Sequence, residues 1–155
     1  MDTTEMLELS QDFAELGREL HGDGDNEAAL LRMVELAVKQ IDGCRWSSIT
    51  IVRGEAGHTL AASGPVAADV DTIQYSLREG PCLQAAADEV NYLLFDVENE
   101  PRWPRFAAAV AEQTPVRSVL SIQLMAGRAA SLNLYAEVPG AYTDDAIDTA
   151  TIFGA

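Results

Sequence analysis

Apolar residues recur along the chain in two rhythms, one helical and one of strand type, and the switches between them mark out the elements. Met6, Leu9, Phe13, Leu16 and Leu20 alternate spacings of three and four, which predicts a helix over residues 3–21 with a narrow heptad seam. A seam that narrow suits a helix lying on another helix, including one from a second copy of the chain. The plainer alternative is a helix lying on its own sheet. The run from His21 to Asn26 breaks the pattern and ends in helix N-cap candidates. A wider stripe of Leu30, Val34, Ala37, Val38 and Ile41 predicts a second, core-facing helix from about Glu27 to Ile41, stopped at Gly43.

Strand patterns follow. Trp46 to Arg53 is β-branched, turns at Gly54–Gly57 and returns over His58 to Ser63, which reads as a hairpin. Val66 to Thr72 is short and weakly helical, and Tyr92 to Val97 is a third strand candidate. Pro101 and Pro104 open a helix running to about Gln113, with Phe106 and Val110 on one face. Over Val116 to Met125, Leu120, Ile122 and Leu124 point one way and Ser121 and Gln123 the other. Ser131 to Val138 repeats this with Leu132, Leu134, Ala136 and Val138, so the two make a hairpin across Gly127-Arg128. Thr143 caps a last helix opening on Asp144-Asp145. Two hairpins flanked by helices predict an α+β fold, an antiparallel sheet with helices on its faces. The last helix reaches Ala155 still in register, from which a longer natural protein is expected.

Composition narrows the function. At 155 residues the chain is read as one domain able to bury a core. Ten Lys and Arg stand against 25 Asp and Glu, a net charge of -15, and the basic residues form no cluster beyond Arg102 and Arg105. Such a surface repels a phosphate backbone, so no direct binding of DNA or RNA by this chain is expected. The sequence has no apolar run long enough to span a membrane, and its acidic N-terminus lacks the pattern of a secretory signal; a cytoplasmic location is expected. Cys44 and Cys82 lie far apart, and His21 and His58 stand alone. A metal site is not expected for want of ligands, a structural disulfide is not expected in a reducing compartment, and no cofactor is expected.

The segment Ile73 to Ala87 carries the most specific local signal. Ile73, Tyr75 and Leu77 alternate as on an extended segment, Glu79-Gly80-Pro81 turns the chain, and Pro81 suits the first position of a short helix. Cys82 then falls in the first helical turn, where amide groups and the helix dipole favour a thiolate. A redox or covalent-attachment role is one reading. The other, which is the expectation here, is a small apolar residue filling space, because no base or resolving thiol stands nearby in sequence.

The run Tyr75-x-Leu77-x-Glu79-Gly80-Pro81-Cys82-Leu83-Gln84-Ala85 resembles the signature of GAF domains in actinobacterial GAF–ANTAR transcription antitermination regulators. Asp96-Val97, Pro101 to Phe106, Val116 to Ser121, Leu132 to Tyr135 and Pro139 to Thr143 fit the same resemblance, which covers about residues 5–155. It implies a GAF-like (profilin-like) antiparallel sheet of five or six strands, a small-molecule pocket between sheet and connecting helices, and a C-terminal RNA-binding ANTAR output domain that this chain lacks. Residues 1–22 are then a dimerisation-type helix, and the expected partners are a second copy, through that helix and the last one, and an unidentified small molecule.

By the same resemblance the ligand-binding candidates are Tyr75, Leu77, Glu79, Cys82, Phe95, Asp96, Phe106, Leu124 and Leu134. For each apolar member plain core packing competes, and Glu79 and Asp96 are expected to stabilise turns. No catalytic residue is assigned, and the domain is expected not to be an enzyme. The enzyme alternative is a GAF-type free methionine-(R)-sulfoxide reductase or thiol redox sensor using Cys82, but the three-cysteine cluster of those reductases is not reproduced. Bilin attachment wants a His after the Cys, where Leu83 stands; the cyclic-nucleotide motif is missing; haem would have only His21 or His58. A pocketless dimerisation scaffold is the third reading.

Overall fold

The computed structural model describes residues 26–88, 90–124 and 129–154. The expected first helix over residues 3–21 and the turn at Gly127-Arg128 lie outside the described residues. The chain runs α1 (Asn26–Gln40), β1 (Trp46–Arg53), β2 (Ala56–Ala62), α2 (Pro65–Leu77), α3 (Pro81–Asp88), β3 (Tyr92–Leu94), a 3-10 turn (Val97–Asn99), α4 (Pro104–Gln113), β4 (Ser118–Leu124), β5 (Ala130–Ala136) and α5 (Asp144–Gly154). The five strands form one sheet in the order β2-β1-β5-β4-β3, every neighbouring pair antiparallel. This is the α+β architecture expected from the two hairpins, and its five antiparallel strands among the described residues are of the kind the resemblance implies.

Strand alternation gives the sheet two different faces. On one side Ile49, Leu120, Ile122, Leu124, Leu132, Leu134 and Ala136 pack against Ala29, Met33, Val34 and Ala37 of α1 and Ala146, Ala150 and Phe153 of α5. Helix α1 therefore turns Ala29 and Met33 fully inward, while the expected Leu30 and Val38 pack at its flank. Gly43 ends the helix turn at φ 89, and a Cβ there would stand 2.6 Å from the carbonyl oxygen of Ala141. Thr143 caps α5 as expected, its Oγ1 accepting from the Ala146 amide at 3.1 Å.

The other side is covered by α2, α3 and α4, and here the structure departs from the pattern reading. Residues 65–77 form one helix, not a short helix followed by an extended segment. Its buried stripe is Ala67, Val70, Asp71 and Gln74. The spacing is helical, but half the stripe is polar, so hydrophobic periodicity could not reveal it. Ile73, Tyr75 and Leu77 are only half-buried. The helix ends at Arg78, held at φ 55 in the left-handed region, with its amide bonded to the Tyr75 carbonyl. Strand β3 is shorter than expected because Asp96 turns the chain, its side chain accepting from the Glu98 amide to cap the 3-10 turn.

Candidate functional site

Beneath α2 and α3 the sheet presents hydroxyls and an amide where the opposite face presents leucines. Ser48 and Thr50 of β1, Ser121 of β4, and Ser131, Asn133 and Tyr135 of β5 are all fully buried on this side, with Asp71 and Gln74 of α2 above them. Asp71 is the hub. One carboxylate oxygen accepts from Ser48 Oγ at 2.9 Å and from the Tyr135 hydroxyl; the other accepts from Thr59 Oγ1 at 2.8 Å. A single helical residue thus ties three strands to α2.

The remaining protons can be placed by elimination. Thr59 gives its one proton to Asp71, so its oxygen accepts from Tyr75 OH at 2.8 Å. Tyr75 OH then accepts from Thr50 Oγ1 at 2.7 Å, and Thr50 in turn accepts from Asn133 Nδ2 at 2.9 Å. Asn133 Nδ2 also donates to Ser48 Oγ at 3.0 Å, while its Oδ1 accepts from Ser131 Oγ at 2.8 Å. On the third side Ser121 Oγ donates to Cys82 Sγ at 3.2 Å, and Cys82 lies 3.4 Å from the Tyr135 hydroxyl. Since Tyr135 donates to Asp71, the thiol donates to Tyr135. Apart from Ser131, whose proton ends on Asn133 Oδ1, each of these donor chains terminates on the ionised Asp71 carboxylate.

Among the described residues no basic side chain enters this cluster. Burial pushes the Asp71 carboxyl up to about 6, against the hydrogen bonds from Tyr135, Thr59 and Ser48 that favour the charged form. Burial likewise pushes the Cys82 thiol up to about 12, the Asp71 charge adding to it, and the Ser121 hydroxyl that donates to the sulfur does not offset the two. Cys82 does sit in the first turn of α3, as the spacing predicts, but burial outweighs the helix dipole that favours a thiolate there. The sulfur is fully buried, and the Cys82 amide is already taken by Gln74 Oε1 at 2.7 Å. Cys44 lies in the core of the other sheet face, so the chain's two cysteines cannot meet in this fold.

The nine candidates do not converge on one cavity. Tyr75 and Cys82 join the polar cluster. Phe106 is core beside it, under α2 and α4. Leu124 and Leu134 face the opposite side of the sheet, which alternation forces once Ser131, Asn133 and Tyr135 face inward. Phe95 is 66% exposed, lying against Gly140, and the buried neighbour is Leu94. Leu77 supplies a carbonyl to Arg105 Nη2 at 3.0 Å. Asp96 stabilises a turn, as expected, whereas Glu79 acts on a distant helix. Glu79 accepts from the Phe106 amide at 2.9 Å and pairs with Arg105, capping α4, whose own N-cap Trp103 offers no side-chain acceptor. Its burial pulls the carboxyl upward, and these donors outweigh it to leave a net lowering.

The sequence reading missed Ser48, Thr50, Thr59, Asp71, Gln74, Ser131, Asn133 and Tyr135. Polar residues alternating along strands look like a solvent face. The available signal was their repetition on three strands, together with Asp71 and Gln74 at helical spacing. The cluster reaches solvent at Thr59, which is exposed, and at the half-buried Tyr75 beside it. Between the β1–β2 turn and the α2–α3 loop lie two adjoining hollows of about 250 and 280 Å³, sharing Glu55, Arg78 and Leu83, and Tyr75 lines the larger. Gly57 makes room for that ring, since a Cβ there would stand 2.6 Å from it. Among the described residues there is no metal-binding group of three or more His, Cys, Asp or Glu, and no helix is long and apolar enough to cross a membrane.

Comparison with solved structures returns the same fold at low identity. The GAF domain of an Acinetobacter phosphoenolpyruvate-protein phosphotransferase superposes with a TM-score of 0.71 at 16% identity, covering 100% of this chain and 90% of that one. A type II free methionine-R-sulfoxide reductase from Thermoplasma acidophilum gives 0.67 at 11% identity, covering 83% and 86%. The GAF domain of A. aeolicus nlh2 in an inactive state gives 0.64 at 12%, covering 98% and 92%. No curated protein matches the chain. The GAF domain family model matches residues 25–155, and with the sheet order and helix placement above this makes the chain a member of the GAF domain family.

Proposed function

We propose that this GAF domain is a sensory and regulatory module rather than an enzyme. Its responsive element is the Asp71-centred cluster between the sheet and helices α2 and α3, and a small molecule entering beside Tyr75 is read out through that cluster. The observation that carries this reading is the cluster itself, in which one buried carboxylate without a cationic partner orients hydroxyls from three strands. Such a centre has a second arrangement open to it, since three donors occupy the carboxylate and a proton or a new donor at its remaining lone pair shifts the balance among them. A two-state element of this kind is what a ligand can bias. In this reading the chain acts in the cytoplasm as a homodimer through its terminal helices, and passes its state to an RNA-binding ANTAR output domain.

The reductase reading has the fold similarity to support it, but the chain's chemistry opposes it. Cys82 is buried and held protonated, and Cys44 lies across the sheet. Two measurements test the proposal together. A thermal-shift screen of metabolites should find at least one stabilising compound whose effect is lost in Tyr75→Phe or Asp71→Asn. Free methionine sulfoxide incubated with a thiol reductant should show no protein-dependent loss. Turnover abolished by Cys82→Ser would overturn the non-enzyme reading, and a screen without any stabilising compound would overturn the sensory one.

A further inference from the structure

Helix α3 begins without a cap of its own. Its N-cap residue is Gly80, which has no side chain to offer, and Pro81 follows at the first helical position. The amides of Cys82 and Leu83 are instead met from another helix, by Gln74 Oε1 at 2.7 and 3.2 Å. One oxygen accepting from two successive helix N-terminal amides is the arrangement an oxyanion oxygen adopts at such a site. Here a neutral carboxamide holds the place.

That seat is built and incomplete. Gly80, at φ 148, leaves the space the Gln74 side chain fills, for a Cβ there would stand 2.2 Å from Oε1. Gln74 is fully buried, and with its oxygen committed to the amides its Nε2 has no hydrogen-bond partner. An unpaired buried donor is costly and calls for an acceptor. Arg78 stands at the mouth, exposed and without a salt bridge among the described residues, in the hollow of about 250 Å³ that Gly80, Leu83 and Gln84 also line. Glu79 beside it is engaged with Arg105 and the α4 amide, which leaves Glu55 as the opposing charge in the hollow.

We infer that the N-terminus of α3 is a binding site for a small oxyanion, a carboxylate or phosphoryl group. One ligand oxygen takes the Cys82 and Leu83 amides from Gln74, another accepts from the freed Gln74 Nε2, and Arg78 supplies the counter-charge. The inference deepens the sensory reading and rests on it, because Cys82 and Gln74 connect this seat to the Asp71 cluster.

The test is a titration of the ¹⁵N-labelled chain with sodium phosphate and with sodium acetate, each against sodium chloride at equal ionic strength. Saturable shifts at the Cys82, Leu83 and Gln84 amides with phosphate or acetate, and not with chloride, are expected, and the salt that saturates names the class. Arg78→Ala, a change at an exposed residue, should weaken the binding about tenfold. Gln74→Glu places a carboxylate on the same amides and should abolish the titration, whereas Glu55→Gln should tighten it. Shifts that match chloride, or saturation that leaves the α3 amides still or is unchanged in Arg78→Ala, would overturn the site. If the amides stay silent while a metabolite of other chemistry stabilises the protein, the oxyanion site fails and the sensory reading stands.

Discussion

The two faces of this sheet are made by the same strands, one residue out of step, and they behave as different materials. Toward α1 and α5 most positions are aliphatic contacts that need little but volume, with Ser47, whose Oγ donates to the Val34 carbonyl of α1, as a polar exception. Toward α2 and α3 the neighbouring positions are Ser, Thr, Asn and Tyr, each dependent on its neighbour's proton and all finally on Asp71. The apolar face is tolerant of exchange at constant volume. The polar face is not, because one altered member leaves others unsatisfied in a low dielectric. On the proposed reading, stability is concentrated on the first face and responsiveness on the second.

Adjacent residues of β5 sharpen this comparison most strongly. Leu134→Ala opens a cavity in a fully buried aliphatic core and should cost about 2–5 kcal/mol. Asn133→Ala removes the bridge between Ser131, Ser48 and Thr50 and should cost about 1–3 kcal/mol. Urea unfolding of both variants measures the difference. A larger loss at Asn133 than at Leu134 would break the assignment of stability to the apolar face.

A difference in pH dependence comes next. Because the folded carboxyl of Asp71 is raised from 3.8 to about 6, the folded chain holds that proton more tightly than the unfolded one. Stability from this group is full below the lower value, falls as pH rises between the two, and is level above the upper. The loss should be on the order of 2–3 kcal/mol, seen as wild type losing stability relative to Asp71→Asn across that window. Leu134→Ala should run parallel to wild type there. A slope shared by Asp71→Asn would assign the effect to other carboxylates.

The smallest expected contrast is between the cysteines, one on each face. Both thiols are pushed up to about 12 by burial. Alkylation of Cys44 and Cys82 near neutral pH should therefore be slow and follow unfolding, with no fast-reacting sulfur. Rapid modification of Cys82 alone would reopen a thiol role on the polar face.

What could be read from the sequence divides along the same line. The stripe of α1, the two hairpins, the Pro81 and Pro104 helix starts and the Thr143 cap were legible because apolar periodicity and turn chemistry act locally. The polar face was not. Asp71 and Gln74 interrupt the apolar stripe of α2, so that helix read as a short helix and an extended segment, and alternation placed Ser121 opposite the leucines without revealing that it is buried. A buried polar residue is recognisable only by its partners, and these come from Ser48, Thr59 and Tyr135, far away along the chain. The local signature around Cys82 located α3 correctly, while the state of its sulfur depends on Ser121, Tyr135 and Asp71, beyond the reach of any local pattern.

One titration tests the account of the polar face most directly. The side-chain carboxyl carbon of Asp71 can be followed by ¹³C NMR from acid to neutral pH in the labelled chain. The account predicts a midpoint of about 6, with the Tyr135 and Thr59 resonances moving in step. A midpoint at or below the ordinary 3.8 would contradict it, since the carboxylate would then be compensated and could not serve as the point on which the face turns.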